Sequence, residues 1–340
     1  MRKRTIFLFI LISSLTVLLF VADIFIGSVR LSFSDVWSAL WGRADDPSVQ
    51  YIIHNFRLPK AVTALLAGAS LSAVGLQMQT LFRNPLAGPY VLGVSSGASL
   101  GVALFTLAMP LLGISVSGVW WGNIGVAGAA WIGAAVILLI ILAVTARIKD
   151  IMAVLILGMM FGSAATAVVE ILQYMSPEGA VKGFVVWTLG SLGGVTSGQM
   201  AIMVPVLLAG LIISIFLIKP LNMLMLGENY ARTMGLNIGS ARRLVIVATI
   251  MLAGTVTAYC GPISFIGLAV PHIVRMMFAE ADHRVLMPAS IIAGAGIMLL
   301  CDIVSQLPAS GLTLPISTIT ALIGIPVVIV VIIRYRKTAW

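Results

Sequence analysis

Long runs without a charged side chain constrain this sequence more than any other feature. Eight intervals contain no Asp, Glu, Lys or Arg: 5–22, 61–82, 84–146, 151–169, 183–218, 244–274, 285–301 and 303–333. A membrane-spanning helix needs about 20 mostly apolar residues, and every interval approaches or exceeds that length. Only 9% of the 340 residues are charged, against roughly 25% in soluble proteins. The lipid bilayer is therefore the main solvent of this chain.

The intervals predict an all-α membrane protein with about ten transmembrane helices in one domain, residues 1–340. Interval 84–146 is long enough for two helices, and Gly261-Pro262 divides 244–274 into two. The strands of a membrane β-barrel alternate between apolar and polar residues over segments of about 10 residues. The continuous apolar runs of this sequence do not alternate in that way. The predicted spans are 5–27, 58–80, 92–112, 122–145, 151–173, 199–218, 243–260, 263–279, 286–304 and 314–333.

The distribution of basic residues predicts which side each loop faces. If both termini are cytoplasmic, the outer side holds Arg30, Arg43, Arg57, Lys60 and Lys182, and the other 15 of the 20 Lys and Arg residues lie inside. Cytoplasmic loops are enriched in Lys and Arg, so this orientation is favoured. This orientation also explains the net charge of +9, because the basic residues mark cytoplasmic loops, and no nucleic-acid partner is needed to account for them.

Three polar stretches are long enough to form structure of their own. Residues 28–57 and 174–197 are predicted outside, the first with an amphipathic pattern and the second with a short interfacial helix. Residues 219–242 are predicted inside. The sequence contains no G-x-x-x-x-G-K-[ST] nucleotide-binding loop, so any ATPase that drives transport must be another chain.

Several blocks, in order along the chain, resemble the FecCD family, permeases for the uptake of iron–siderophore complexes, haem and vitamin B12. The agreement covers nearly the whole chain, although Leu314-Pro315-Ile316-Ser317 lacks the family's usual glycine and 304–308 lacks its arginine. The blocks are Arg57-Leu58-Pro59-Lys60; Gly68-Ala69-Ser70-Leu71 with Gly75, Gln79, Arg83-Asn84-Pro85-Leu86-Ala87-Gly88-Pro89, Leu92-Gly93 and Ser96-Gly97-Ala98; Trp187-Thr188-Leu189-Gly190-Ser191-Leu192; Leu221-Asn222 with Leu226-Gly227-Glu228, Ala231 and Met234-Gly235; and Gly261-Pro262-Ile263 with Phe265-Ile266-Gly267-Leu268 and Pro271-His272-Ile273-Val274-Arg275.

The resemblance implies the permease fold of type II ABC importers, in the inner membrane. It implies a homodimer, two ATPase subunits on the cytoplasmic side, a substrate-binding protein outside, and no cofactor or metal. The subunit would be a transporter rather than an enzyme. The substrate is predicted to be an iron chelate, either a ferric siderophore or haem, with cobalamin as the alternative and an oxyanion such as molybdate less favoured.

The resemblance also implies three functional sites. An ATPase-coupling segment lies in the 219–242 loop, where Glu228 and Arg232 are spaced for a local ion pair if the segment is helical. A cytoplasmic gate follows the second span, and two outer basic residues dock the binding protein. The residues are Leu226, Gly227, Glu228, Ala231, Arg232, Met234 and Gly235 for coupling; Asn84, Pro85 and Leu86 for the gate; and Arg57 and Lys60 for docking.

Three acids and a histidine lie within or near the predicted spans. Asp23, Glu170 and Asp302 fall near the outer ends of their spans, which favours structural roles over functional ones, although intramembrane acids are functional candidates by default. His272 is expected to be buried and hydrogen-bonded rather than a haem ligand. Whether these residues act beyond structure stays open.

Two other function classes remain as distant alternatives. Gly93-Val94-Ser95-Ser96-Gly97 matches the G-x-S-x-G string of a hydrolase nucleophile elbow, but that motif needs a strand–turn–helix context. An ion-coupled secondary transporter would carry charged sites near the bilayer midplane, and none is evident.

Overall fold

The computed structural model describes residues 3–27, 29, 31–43, 46–88, 90, 93–114, 119–145, 151–307 and 313–338. These residues form helices and connecting turns, and no strand occurs among them. The first helices are α1 (Lys3–Phe25), α2 (Phe33–Leu40), α3 (Pro47–Ile52), α4 (Leu58–Leu81), α5 (Val94–Ala103), α6 (Met109–Leu111), α7 (Val119–Thr145) and α8 (Ile151–Met175). They are followed by α9 (Glu178–Thr188), α10 (Ser197–Phe216), α11 (Ile218–Met225), α12 (Glu228–Thr233), α13 (Ile238–Thr249), α14 (Thr255–Cys260), α15 (Ile266–Phe278), α16 (His283–Gln306) and α17 (Ile316–Thr338).

The prediction of an all-helical membrane protein is confirmed. In the described part of the chain, seven helices are long and apolar enough to cross a bilayer, and three shorter apolar helices cover 125–141, 266–278 and 316–330. Five-residue π-helical turns connect α3 to α4, α5 to α6 and α13 to α14. The helix that contains α4 therefore runs without interruption over Pro47–Leu81.

Each of the three polar stretches contains short helices, including the one that was predicted within 174–197. The 28–57 stretch contains α2 and α3, 174–197 contains α9, and 219–242 contains α11, α12 and the start of α13. In α2, Val36 and Ala39 are buried while Phe33 and Trp37 are exposed. The exposed rings stack at a centroid distance of 6.4 Å, an arrangement that suits the membrane–water interface.

The chain divides into two compact units, and the prediction of a single domain stays a prediction. One unit comprises the residues up to Ala73, Ser191–Val204 and the residues from Ile263 onward. In it, α16 packs against α1, α15 and α17. The first part of α4 meets α16 at Gly68 and Gly294, where a methyl group on either glycine would overlap the carbonyl oxygen of the other.

The other unit comprises Val74–Gly190 and Pro205–Pro262. Here α5 packs closely against α7 and α8. The crossing of α5 and α7 is made close by Gly97 and Gly133, since a Cβ on Gly97 would lie 2.6 Å from the Gly133 carbonyl oxygen. Small residues allow such backbone contact between helices in lipid, so these crossings depend on side-chain size.

Candidate functional site

The predicted gate is a tight turn that ends α4. Arg83 adopts a left-handed conformation with φ of 46°. The Asn84 backbone N–H donates to the Gln79 carbonyl at 3.2 Å, and the Arg83 N–H donates to the Thr80 carbonyl at 3.3 Å. This pair of bonds is the Schellman termination of a helix. The chain therefore turns sharply at the position where the sequence predicts it.

Asn84 and Pro85 hold the residues after the helix in place. The Asn84 side-chain oxygen accepts a 2.9 Å hydrogen bond from the Leu86 backbone N–H. Pro85 disfavours helical geometry at the preceding residue. Leu86 is left exposed, which gives this turn a free apolar side chain.

Arg83 connects the gate turn to the predicted coupling segment. Its guanidinium donates a 3.1 Å hydrogen bond to the carbonyl of Leu224, at the end of α11. The same group lies 3.3 Å from the position that a Cβ on Gly227 would take. The two predicted sites are therefore in direct contact within one unit, which the sequence did not indicate.

The coupling segment is a helix–turn–helix of short elements. Gly227 separates α11 from α12 with φ of 117°, a conformation that side chains with a Cβ rarely adopt. Gly235 ends α12 with φ of 85°, and the Leu236 N–H donates to the Ala231 carbonyl at 3.0 Å. Both glycines are thus required by the backbone, irrespective of any partner.

Glu228 does not form the predicted pair with Arg232. Its carboxylate instead accepts a hydrogen bond from the guanidinium of Arg242, on the first turns of α13. The spacing along the sequence favoured Arg232, but the turn that follows α12 brings α13 back toward the beginning of α12. The ion pair therefore ties α12 to α13 and leaves Arg232 exposed.

The coupling segment exposes apolar side chains. Leu226 is 63% exposed and Met234 48% exposed, and Met225 and Tyr230 lie beside them in the sequence with similar exposure. Ala231 points inward and is fully buried. We call Met225, Leu226, Tyr230 and Met234 the coupling patch. Exposed apolar groups that cluster in this way mark interaction surfaces.

Arg57 has a different environment from the one expected of a docking residue. It is 7% exposed. Its guanidinium donates hydrogen bonds of 2.9 Å to the carbonyls of Ile24 and Phe25 and of 2.5 Å to the carbonyl of Val29. The Ile24 and Phe25 carbonyls belong to the end of α1, where backbone acceptors lack helical partners, and Val29 lies shortly after that helix. Gly27 leaves the space that the guanidinium fills.

Lys60 belongs to a buried charged cluster, which consists of Asp23, Lys60, Asp302 and Gln306. The Lys60 ammonium lies 3.0 Å from an Asp302 carboxylate oxygen, with side-chain exposures of 18% and 2%. The Gln306 amide donates to Asp302 at 3.0 Å and to Asp23 at 3.2 Å. Asp23 and Asp302 are therefore paired inside one unit, an arrangement that agrees with the structural role favoured by the sequence. The docking role of Arg57 and Lys60 stays a prediction.

Glu170 differs from the other two acids. It lies on α8, is exposed, and has no ion-pair partner among the described residues. With Ser163 and Thr166 it lines an open groove of about 760 Å³ between α8 and the start of α5, where Tyr90 and Ser96 contribute hydroxyl groups. We call this the α5–α8 groove. Ser163, Thr166 and Glu170 follow an i, i+3, i+7 spacing in the sequence, which places them on one face of α8.

Two remaining sequence hypotheses can be placed. His272 is buried, as predicted. The Gly93–Gly97 string begins a helix, with Gly93 in a left-handed conformation and α5 following it, and the described residues around it contain no strand of the kind that a nucleophile elbow needs. No group of three His, Cys, Asp or Glu residues in the described chain lies close enough to hold a metal ion.

Known proteins resemble this chain over nearly its whole length. The model of the FecCD transport family matches residues 15–334. The vitamin B12 import system permease protein BtuC of Klebsiella pneumoniae is 38% identical over 84% of each chain. The uncharacterized ABC transporter permease protein YvrB of Bacillus subtilis is 33% identical over 92% of this chain and 89% of its own.

Solved structures extend the likeness to the fold. An inward-facing metal-chelate type ABC transporter superposes with a TM-score of 0.83 at 30% identity, covering 96% of this chain and 99% of its own. PsaBC from Streptococcus pneumoniae superposes with a TM-score of 0.56 at 16% identity, covering 87% of this chain. The chain belongs to the FecCD transport family and is a permease subunit of an ABC importer.

Proposed function

We propose that this permease carries a corrinoid of the vitamin B12 class across the inner membrane. The observation that carries the proposal is the 38% identity to a vitamin B12 import permease over 84% of each chain. This changes the order of the substrates expected from the sequence, since the relatives favour cobalamin over a ferric siderophore or haem. An iron chelate is the second candidate, supported by the metal-chelate type of the solved relative.

The chain acts as a transport subunit without catalytic activity of its own. It contains no G-x-x-x-x-G-K-[ST] loop, the sequence that cradles ATP phosphates in ATPases of this kind. ATP is hydrolysed by a separate subunit, two copies of which bind a homodimer of this permease. Both termini lie in the cytoplasm, and a substrate-binding protein delivers the corrinoid from outside.

The coupling patch is the surface that receives the ATPase. Its four apolar side chains lie in a loop that the basic-residue distribution assigns to the cytoplasm, where water would otherwise surround them. The Glu228–Arg242 pair and the Arg83 contact to Leu224 connect this loop to α13 and to the gate turn. A rigid-body push on the loop can therefore reach the turn, in the manner of other packed switching elements.

Replacing Leu226 or Met234 with Asp tests the coupling patch. A charge in a packed interface typically costs about 1–3 kcal/mol, which is a loss of roughly 5- to 150-fold in affinity. Copurification of the coexpressed ATPase should fall, while the amount of permease in the membrane is unchanged because both side chains are exposed.

Gly239→Ala is the matched control. It lies in the same loop region, and a methyl group there would meet nothing closer than the Asn237 side-chain oxygen at 3.5 Å. Normal ATPase recovery with both Asp variants would show that the ATPase docks elsewhere. The ATPase would then have to dock on the shorter loops at 147–150 and 280–284, of which 147–150 lies outside the described residues. Uptake of labelled cyanocobalamin by a deletion strain that carries this permease tests the substrate separately, and uptake of a ferric chelate alone would support the second candidate.

A further inference from the structure

Glu170 is hard to reconcile with a helix face that contacts lipid. It lies five residues before the end of α8, exposed and unpaired among the described residues. Acidic residues within transmembrane segments almost always face the protein interior or a water-filled cavity. Ser163 and Thr166 extend the same face by two turns. This face of α8 is therefore wet or covered by protein in the assembled transporter.

The groove beside Glu170 is large and lined by small groups. Its volume is about 760 Å³. Gly93, Gly158 and Gly162 line it without side chains, and Ser96, Ser163 and Thr166 supply hydroxyl groups. The Ser163 and Thr166 hydroxyls donate to the carbonyls of Met159 and Gly162 at 3.0 Å, and their oxygens can each still accept a hydrogen bond. The lining can therefore form hydrogen bonds with amide groups of a bulky cargo, and its small residues allow the cargo to slide past.

Glu170 sets the sign of the charge in this groove. Among the described lining residues it is the one acidic or basic side chain. A cleft lined by one sign of charge, with low-dielectric walls, concentrates its field on whatever enters. A carboxylate on the cargo at about 10 Å would be disfavoured on the order of tenfold at an effective dielectric constant of about 20. A neutral cargo would meet no such barrier.

We propose that the α5–α8 groove is a cargo-binding surface that accepts large, neutral, amide-rich chelates and rejects polyanionic chelates of the same size through Glu170. The proposal rests on the proposed transport function and deepens it. It assigns part of the substrate selection to the permease itself, and it separates neutral corrinoids from haem and from anionic ferric siderophores by charge.

A cysteine placed in the groove reports its occupancy. The native Cys260 and Cys301 are buried, so Ser163→Cys introduces the one readily alkylated thiol of the purified full-length permease. The rate of maleimide labelling is measured with cyanocobalamin, which is neutral, and with cobyrinic acid, whose corrin carries carboxylates in place of the amides. Gly179→Cys, an exposed position outside the groove, is the control for non-specific effects.

Cyanocobalamin should slow the labelling of Cys at position 163, and cobyrinic acid should need roughly tenfold or higher concentration for the same protection. Glu170→Gln, which keeps the shape of the side chain, should remove the difference, and Glu170→Lys should reverse it. Equal protection by both compounds in the presence of Glu170, or a ranking that neither substitution changes, overturns the selection by charge.

Absence of protection by either compound, or equal protection at position 179, overturns the assignment of the groove as a cargo site. Neither result would touch the proposed transport function, because that is judged by cyanocobalamin uptake and ATPase copurification with the complete importer. Conversely, a failure of cyanocobalamin uptake together with charge-dependent protection would leave the groove assignment standing and redirect the search to another neutral chelate.

Discussion

Lys60 is the cation that allows two carboxylates to lie in the interior of one unit. Asp302 is 1% and Asp23 3% exposed, and an isolated buried carboxylate is strongly unfavourable. The ammonium group of Lys60 contacts Asp302 directly, while Gln306 bridges both acids. The cluster joins α1, α4 and α16, so its charges hold three helices of this unit together.

Lys60→Met should destabilise the fold because it leaves Asp302 without its counter-charge while keeping much of the side-chain volume. Breaking a buried ion pair from one side typically costs about 3–5 kcal/mol. The midpoint of thermal unfolding in detergent should fall clearly, and adding Asp302→Asn to Lys60→Met should recover part of the loss.

Lys182→Met is the control for that substitution, since Lys182 is exposed and has no ion-pair partner in the described part of the chain. It should leave the midpoint unchanged. If Lys60→Met instead weakens the binding protein's attachment without lowering the midpoint, Lys60 is a docking residue and the cluster is not structural.

At the scale of elements, glycines determine how closely the helices of each unit approach. Ala64, Gly68 and Ser72 recur at a spacing of four residues, which predicts a close helix contact, and Gly68 does meet Gly294 of α16 backbone to backbone. A Cβ on Gly294 would also lie 2.6 Å from the Ser72 Cβ. Such a contact gains packing energy only while both residues remain small.

Gly294→Ala should therefore disrupt the crossing of α4 and α16. Overpacking a filled interior typically costs about 1–3 kcal/mol. The added methyl group would overlap the Ser72 hydroxyl and the Gly68 carbonyl oxygen, and the carbonyl belongs to backbone, which cannot rotate away. Gly128→Ala on α7 is the matched control, because no atom lies within 4 Å of the added methyl group and Ala favours a helix over Gly by about 1 kcal/mol. A thermal midpoint for Gly294→Ala equal to that of Gly128→Ala would show that the crossing can relax.

The sequence was sufficient to predict the long elements, because hydrophobic length is a local property. The predicted span 151–173 corresponds to Ile151–Met175, and 286–304 corresponds to His283–Gln306. The break at Gly261 appears as a positive φ of 74°. The π-helical turns carry no comparable local signal, and the continuous helix over Pro47–Leu81 was predicted only in its second part.

Local sequence patterns did not predict which residues contact each other in the folded chain. Glu228 was matched with Arg232 by spacing, whereas the fold brings Arg242 to it. Lys60 and Asp302 are separated by more than 200 residues, so only the packing of α4 and α16 reveals their ion pair. Charge alone suggested docking for Arg57, and its burial against the end of α1 could not be foreseen from sequence.

At the scale of the whole molecule, the orientation in the membrane decides what every loop can bind. Five of the 20 Lys and Arg residues lie in segments assigned to the outer side, and the other 15 lie in segments assigned to the cytoplasm. This asymmetry agrees with the rule that cytoplasmic loops are enriched in Lys and Arg. The proposal that the coupling patch receives an ATPase requires Asn229 to be cytoplasmic. The same orientation places Ser48 and Gly179 outside.

Cysteine labelling of intact cells tests this orientation with little background, because Cys260 and Cys301 are buried. A membrane-impermeant maleimide should label Ser48→Cys and Gly179→Cys in intact cells, and should label Asn229→Cys only after the membrane is permeabilised. All three positions are exposed, so accessibility within the protein does not limit the reaction. Labelling of Asn229→Cys alone in intact cells would invert the topology, and the coupling patch would then face away from any ATPase.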